Sequence, residues 1–199
     1  MRLTLQWTQL KKGVKMAIGY KLFRIKNNKL YPLYVESNVE IPIGVWLEAK
    51  SGERLPSGKV KAKLGNGLAF RPGWHLNDIA PYVEHIGKKD KDGNLIQRSN
   101  TVWAEVEYAD QINYQNEANE RGRNKLGKVI PVKACLNYVP VNGYYRFKTN
   151  PNMFGEWIIS GAIKVNRILS NDEVDQLCLK HGLQPQKREQ MTQLKERRM

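Results

Sequence analysis

Two short segments carry the side chains best suited to chemistry, and the first is Phe70-Arg-Pro-Gly-Trp-His75. Its Pro-Gly pair predicts a type II turn, because glycine adopts the positive φ that this turn requires. The turn would expose Arg71, whose guanidinium group can hold a carboxylate or a phosphate, and His75, which titrates near neutral pH. Trp74 could stack on a nucleobase or a nicotinamide ring, and His75 could act as an acid, a base or a donor. The structural alternative is that Trp74 fills the core and His75 caps a backbone carbonyl.

The second segment, residues 102–108, alternates apolar and polar side chains and therefore predicts a strand. One face, with two valines and an alanine, would enter the core, and the other would carry Glu105 and Glu107 about 7 Å apart. Two carboxylates at this spacing can raise the pKa of one of them and divide the roles of acid and base. The same pattern also describes the solvated face of an ordinary antiparallel strand.

A third candidate surface is formed by Tyr144, Tyr145 and Arg146, with Lys148 close behind them in the sequence. Aromatic rings, hydroxyl groups and cations together can stack on a ligand ring and donate hydrogen bonds to it, so this segment predicts a binding surface. The alternative is that these residues lie at the end of a strand, half in the core and half at its rim.

Other kinds of site are not predicted. The sequence contains no Walker-type phosphate loop, no nucleophile elbow and no dinucleotide-binding fingerprint. Neither Cys135 and Cys178 nor the three histidines show metal-ligand spacing, so we expect buried thiols, no metal site and no identifiable cofactor. No apolar run approaches the roughly 20 residues that cross a bilayer, and no signal peptide is evident. We therefore expect a cytoplasmic protein without a membrane partner.

The positive charge is concentrated at the two ends of the chain. The 199 residues have a formal net charge of +14. Residues 1–35 contain eight Lys or Arg and no acid, residues 180–199 contain six basic residues against two acidic ones, and the middle contains 19 against 17. Basic ends around a nearly neutral middle predict a loose grip on a polyanion, either nucleic acid or an acidic host protein, with steep salt dependence. The alternative is a pair of solvated tails.

Strands and polar loops must position these side chains. A hairpin is predicted at residues 20–25 and 30–35, around a turn at Asn27 and Asn28. Further strands are predicted at residues 41–48, 68–70, 143–147 and 156–165. The intervening residues predict polar loops at 50–67 and 87–100, one or two helical turns within 77–86, and a polar excursion at 111–131.

The most specific signal for a single element is that for a C-terminal helix over residues 171–181. Ser170 and Glu173 have the spacing of a capping box, and Gly182 suits the C-terminal cap. The predicted fold class is α+β, a compact and mostly antiparallel sheet with few helices, long polar loops and this C-terminal helix. We expect a basic N-terminal extension at 1–15, a single domain at 16–185, and a flexible or helical basic tail at 186–199.

The order of these motifs over roughly residues 17–185 resembles an uncharacterised domain of phage and mobile-element proteins of gut bacteria, where it sometimes lies within very large polypeptides. The segments that carry the resemblance are Pro-Ile-Gly-Val-Trp-Leu, Phe-Arg-Pro-Gly-Trp-His-Leu-Asn-Asp, Gly-Tyr-Tyr-Arg-Phe-Lys-Thr-Asn and Trp-Ile-Ile-Ser-Gly-Ala-Ile-Lys-Val. The resemblance implies phage or mobile-element biology in a bacterial cytoplasm, with a role in host takeover or counter-defence, and brings no established activity.

The candidate residues also show a weaker similarity to the ADP-ribosyltransferase fold. That similarity implies that Arg24, His75, Tyr145 and Glu105 or Glu107 would surround NAD. Two hypotheses follow: a binding module for nucleic acid or an acidic protein, and a small transferase that uses NAD or another nucleotide.

Overall fold

The regular secondary structure of the protein is mostly antiparallel strand, in an α+β arrangement, as predicted. The computed structural model describes residues 16–63, 65–84, 86–153 and 155–189. In chain order the strands are β1 (Ala17–Lys26), β2 (Lys29–Tyr31), β3 (Trp46–Glu48), β4 (Trp74–Leu76), β5 (Lys88–Lys89), β6 (Leu95–Ile96), β7 (Thr101–Tyr108), β8 (Ile112–Asn113), β9 (Gly143–Phe147), β10 (Trp157–Ser160) and β11 (Ala162–Ile168). The helices are α1 (Gln115–Gly122), a 3-10 turn at Pro131–Lys133, and α2 (Asn171–Lys180). None of the helices in these ranges is long and apolar enough to cross a membrane.

The strands form two main sheets. The first sheet has the order β2-β1-β7-β11-β3, and the second has the order β4-β10-β9-β8, in which only β8 and β9 run parallel. A small hairpin, β5-β6, lies within the predicted polar loop at 87–100. Reciprocal backbone hydrogen bonds between Tyr20 and Asn77 connect β1 to the end of β4, so the two sheets meet along that edge.

Gly161 is the point at which the chain passes from the second sheet to the first. Its N–H donates to Gly143 O at 3.0 Å on the β9 side, and its carbonyl accepts from Ala49 N at 2.8 Å beyond β3. A Cβ at this position would collide with Pro140 O, so only glycine fits. The prediction of one strand at 156–165 is therefore wrong, because two strands in different sheets occupy that segment.

The space between the two sheets holds one buried cluster, here called the inter-sheet cluster. It includes Ala104 and Val106 of β7 with Phe23, Leu76 and Ile158. The predicted inward face of β7 is thus confirmed.

A second buried cluster lies on the other faces of the two sheets. It joins Trp103 of β7 to Val174 and Cys178 of α2 and to Tyr145 and Ile159 of the second sheet. Both sheets consequently pack on two sides, which leaves little room for a large interior site.

The elements with local sequence signals are confirmed. Asn27 and Asn28 both have positive φ, at 50° and 58°, which is the geometry of the predicted hairpin turn. Strand β2 ends at Tyr31 instead of extending to residue 35, since Pro32 follows and has no N–H to donate. Ser170 and Glu173 form the predicted capping box of α2, and Gly182 follows the helix with φ of +71°.

Two predictions for the middle of the chain are wrong. Residues 77–84 and 86 contain bends and no helical turn, because the Asn77 side chain accepts from Ile79 N at 2.8 Å and holds a local turn. Leu68 makes a single bridge to Val60, and the strand of that region is β4 instead. The polar excursion at 111–131 has little core of its own, as predicted, but it contains the unpredicted helix α1, in which Ala118 is the one buried side chain.

The ends of the chain are described in part. Residues 1–15 and 190–199 lie outside the described residues, so most of the predicted extension and tail is not covered. Residues 187–189 lie alongside residue 97, with Gln97 N donating to Lys187 O at 2.7 Å and Glu189 N donating to Gln97 O at 2.8 Å. Arg188 makes a two-pronged ion pair with Asp175 of α2, with its shortest N–O distance at 2.6 Å.

Candidate functional site

The Arg-Pro-Gly-Trp-His corner is held by packing on both sides. Gly73 has φ of +123°, so the expected positive φ is confirmed, and a Cβ there would collide with the Ile159 side chain. The Arg71 guanidinium lies over the Phe147 ring, 4.5 Å from its centroid. Trp74 Nε1 donates to Leu47 O at 2.9 Å, and its ring packs against the inter-sheet cluster. Trp74 therefore packs against the core, as in the structural alternative to a binding role.

His75 and Tyr145 share a face of the second sheet. The register places His75 opposite Ile159 of β10, and Ile159 opposite Tyr145 of β9. His75 Nδ1 is 3.2 Å from Gly73 O, which is the carbonyl contact of the structural alternative. Tyr145 is fully buried, its hydroxyl accepts from Leu136 N at 3.4 Å, and burial raises its pKa. Because Tyr145 has no exposed surface, its hydroxyl is poorly placed to exchange a proton with a substrate.

Glu105 and Glu107 lie on the face of β7 turned away from the inter-sheet cluster. Glu107 Oε2 is 2.7 Å from Lys164 Nζ, and Glu105 Oε2 is 3.3 Å from a guanidinium nitrogen of Arg167. His75 lies on a different sheet, also on the face turned away from that cluster. The two carboxylates and the histidine are therefore not assembled into one acid-base set.

Tyr144 and Arg146 occupy the opposite face of β9 from Tyr145. The rings of Tyr144 and Tyr108 meet edge to face with their centroids 5.9 Å apart. Arg146 binds Asp78 with a shortest N–O distance of 2.6 Å, and this partner raises the pKa of the guanidinium group. The charge of Arg146 is thus neutralised within the fold, whereas Lys148 is half-buried just beyond the end of β9.

Lys21 is an unusual residue that the sequence patterns do not single out. Its side chain leaves β1 on the same face as Phe23, toward the inter-sheet cluster. The ammonium group donates to His75 O at 2.7 Å and lies 5.6 Å and 5.4 Å from the ring centroids of Phe23 and Trp74. Burial lowers the pKa of Lys21 to about 8. The only hint in the sequence that Lys21 is buried is its position two residues before Phe23, which places both side chains on the same face of a strand.

A cavity of about 150 Å³ opens beside the β1-β2 hairpin. Its residues come from the hairpin and the residues just after it, from the loop before β4, from the segment before β5 and from the segment leading into β7. They are the apolar Leu22, Leu33, Ile86 and Gly87, the aromatic Tyr34, the cations Arg24, Lys63 and Arg98, and the polar Gln97, Asn100 and Thr101. No carboxylate lines it in the part of the chain that the structure describes.

The three cations of this cavity have no acidic partner among the described residues. Arg24 donates through Nε to Pro32 O at 3.1 Å and through another nitrogen to Ser37 O, which fixes the guanidinium group without neutralising it. Lys63 and Arg98 are exposed. Within the described ranges none of the three forms an ion pair. Burial raises the pKa of the Tyr34 hydroxyl, and the charge of Arg98 opposes that shift, which indicates that the two groups are close.

A second, open cavity of about 510 Å³ adjoins the first and shares Arg98 and Asn100 with it. Its other lining residues are Lys88, Ser99 and Glu189. Lys88 Nζ and Glu189 Oε1 form an ion pair at 2.8 Å. The two cavities together are called the basic cleft below. Glu189, which lines the cleft, is the last residue that the structure describes.

No family model, curated protein or solved structure matches this chain. Among the described residues, no group of three or more His, Cys, Asp or Glu side chains is arranged to hold a metal ion. Sequence patterns predict Arg24 as a binding residue but do not indicate Tyr34, Lys63 or Arg98. Those residues belong to three separate polar segments that only the fold brings together.

Proposed function

We propose that this protein is a nucleic-acid-binding module and that the basic cleft is its contact surface. One observation carries the proposal: Arg24, Lys63 and Arg98 surround a cavity that no described carboxylate lines. Cations without an acidic partner attract phosphates and release their counterions when a phosphate binds. Arginine in addition matches the oxygen geometry of a phosphate with two parallel N–H donors.

The ends of the chain support the same partner. Residues 190–199 contain three basic residues against one acidic residue and continue from the rim of the cleft at Glu189. Basic residues that follow the cleft in the sequence would add cations for contact with a phosphate backbone. Residues 1–15 add four further positive charges.

Nucleic acid fits the basic cleft better than an acidic protein does, because the cleft combines cations with Tyr34 and apolar walls. Aromatic side chains stack on the bases of unpaired strands, which an acidic peptide cannot offer. The resemblance to phage and mobile-element proteins supports a place of action in the bacterial cytoplasm, where it would act on host or invading nucleic acid. A role in host takeover or counter-defence would follow from that location.

The test is fluorescence anisotropy with labelled 20-nucleotide RNA, DNA and duplex probes at 50–300 mM salt. In the cleft variant, the exposed residues Arg98 and Lys63 are both replaced by alanine. In the control variant, alanine replaces Lys125 and Lys180, which are exposed and lie outside the cleft, so the same total charge is lost. For single strands, each lost phosphate contact lowers the slope of log affinity against log salt by about 0.7. The cleft variant should therefore lose about 1.4 from the slope, and the control close to none.

Two results would contradict the proposal. Equal losses in the two variants would mean that total charge, and not the basic cleft, determines binding. An absence of binding to every nucleic acid at 50 mM salt, with binding to polyglutamate, would identify an acidic protein as the partner.

A further inference from the structure

We infer that the smaller cavity of the basic cleft receives one unstacked pyrimidine base of a single strand, while Arg24, Lys63 and Arg98 hold the flanking phosphates. The inference rests on the proposed function and adds the strandedness and the base class that the site would select.

The size of the cavity limits the ring that can enter. Its volume is about 150 Å³. A cavity of about this volume in a protein core accommodates one benzene molecule. A six-membered pyrimidine ring therefore fits, and the larger fused rings of a purine would fit less well.

The walls of the cavity suit the two faces of such a ring. Leu22 is buried, and Leu33 and Ile86 are half-buried, so the floor is apolar. Tyr34 supplies an aromatic surface at the same cavity. Bases of every kind stack on aromatic side chains, so the apolar walls and the ring of Tyr34 would hold the base by its faces.

The edge of the base would meet an amide at the mouth of the cavity. The Asn100 side chain is exposed and makes no hydrogen bond among the described residues, while its backbone carbonyl accepts from Ile25 N at 2.9 Å. A side-chain amide offers a donor and an acceptor, which is what the Watson–Crick edge of a pyrimidine requires. Asn100 also lines the second cavity, which would carry the strand onward past Arg98.

Selection against duplexes follows from the same geometry. Bases within a duplex are stacked and paired, and turning one outward costs a few kcal/mol before any contact is made. A base in a single strand enters without that cost. The apolar part of the cavity would then add to the affinity for a single strand alone.

The test compares 12-nucleotide oligouridylate, oligodeoxythymidylate, oligoadenylate, an abasic strand and a duplex by fluorescence anisotropy. We expect both pyrimidine strands to bind roughly five- to hundredfold more tightly than the abasic strand, the range that one stacked base supplies. Tighter binding of oligouridylate than of oligodeoxythymidylate would show that the site prefers RNA. Equal affinity for the two would show that it accepts both RNA and single-stranded DNA. Oligoadenylate and the duplex should resemble the abasic strand.

Two cavity variants separate this inference from the proposed function. Leu33→Trp fills the cavity and Asn100→Ala removes the amide, and neither changes the charge; Val45→Trp, at an exposed position outside the cavity, is the matched control. Each cavity variant should abolish the preference for pyrimidine strands and leave duplex binding unchanged. If all probes bound with equal affinity, and replacing Arg98 weakened that binding while the two cavity variants did not, the inference would be overturned and the proposed function would stand. No binding to any probe would overturn both.

Discussion

Replacing Lys21 with methionine should stabilise the protein at neutral pH, because the ammonium group is held in a largely apolar space. The pKa of Lys21 in the folded protein is about 8, against its ordinary value of 10.5 in the unfolded chain. The unfolded chain therefore binds more protons between pH 8 and 10.5, and the free energy of unfolding rises with pH across that window. At pH 7 the shift corresponds to a penalty of about 3 kcal/mol, since each pKa unit is about 1.4 kcal/mol.

That penalty falls by about 2 kcal/mol between pH 7 and pH 9.5, as the folded protein loses its proton at Lys21. Methionine keeps the alkyl volume and loses the hydrogen bond to His75 O, which offsets part of the gain. Urea unfolding of both proteins at the two pH values measures the difference. The advantage of Lys21→Met should shrink by about 2 kcal/mol at pH 9.5, whereas Lys26→Met, at an exposed position on the same strand, should show no such change. A difference that is the same at both pH values would refute the reasoning.

Three further outcomes are expected. Gly73→Ala should lower the free energy of unfolding by about 1–3 kcal/mol in urea titrations, because the positive φ and the contact with Ile159 both exclude a Cβ; an unchanged midpoint would show that the bend is not constrained. Tyr145→Phe should cost less than about 1.5 kcal/mol, since the hydroxyl makes one long hydrogen bond. Millimolar NAD should leave the melting temperature unchanged, because His75, Glu105 and Tyr145 are not assembled in one site; a rise that His75→Ala abolishes would instead support the transferase.

Local signals in the sequence predicted the elements that a few neighbouring residues determine. The Ser170 capping box and the Asn27-Asn28 turn each involve no more than four neighbouring residues, so their signals are visible in the local sequence. The break at Gly161 has no such signal, because the reason for it lies in Pro140, 21 positions earlier in the chain. Helix α1 was missed for a related reason, since its sequence has almost no apolar face.

The candidate site was harder to predict than the fold class. Alternation along a strand predicted correctly that Glu105 and Glu107 share a face, but it does not identify the sheet or the partners opposite them. Their partners are Lys164 and Arg167 of strand β11, which lie 57 or more positions after the two carboxylates in the sequence. The basic cleft combines Arg24, Lys63 and Arg98 from distant segments, and only the tertiary structure brings them together.

Photo-cross-linking tests the central proposal, nucleic-acid binding at the basic cleft, most directly. A 4-thiouridine-labelled single-stranded RNA would be irradiated with the full chain, and the cross-linked peptides would be identified by mass spectrometry. The proposal predicts adducts within residues 31–35 and 97–101, which include Tyr34 and Arg98 of the cleft. Adducts confined to residues 1–15 and 190–199, or to the sheet face that carries Glu105 and Lys164, would contradict it.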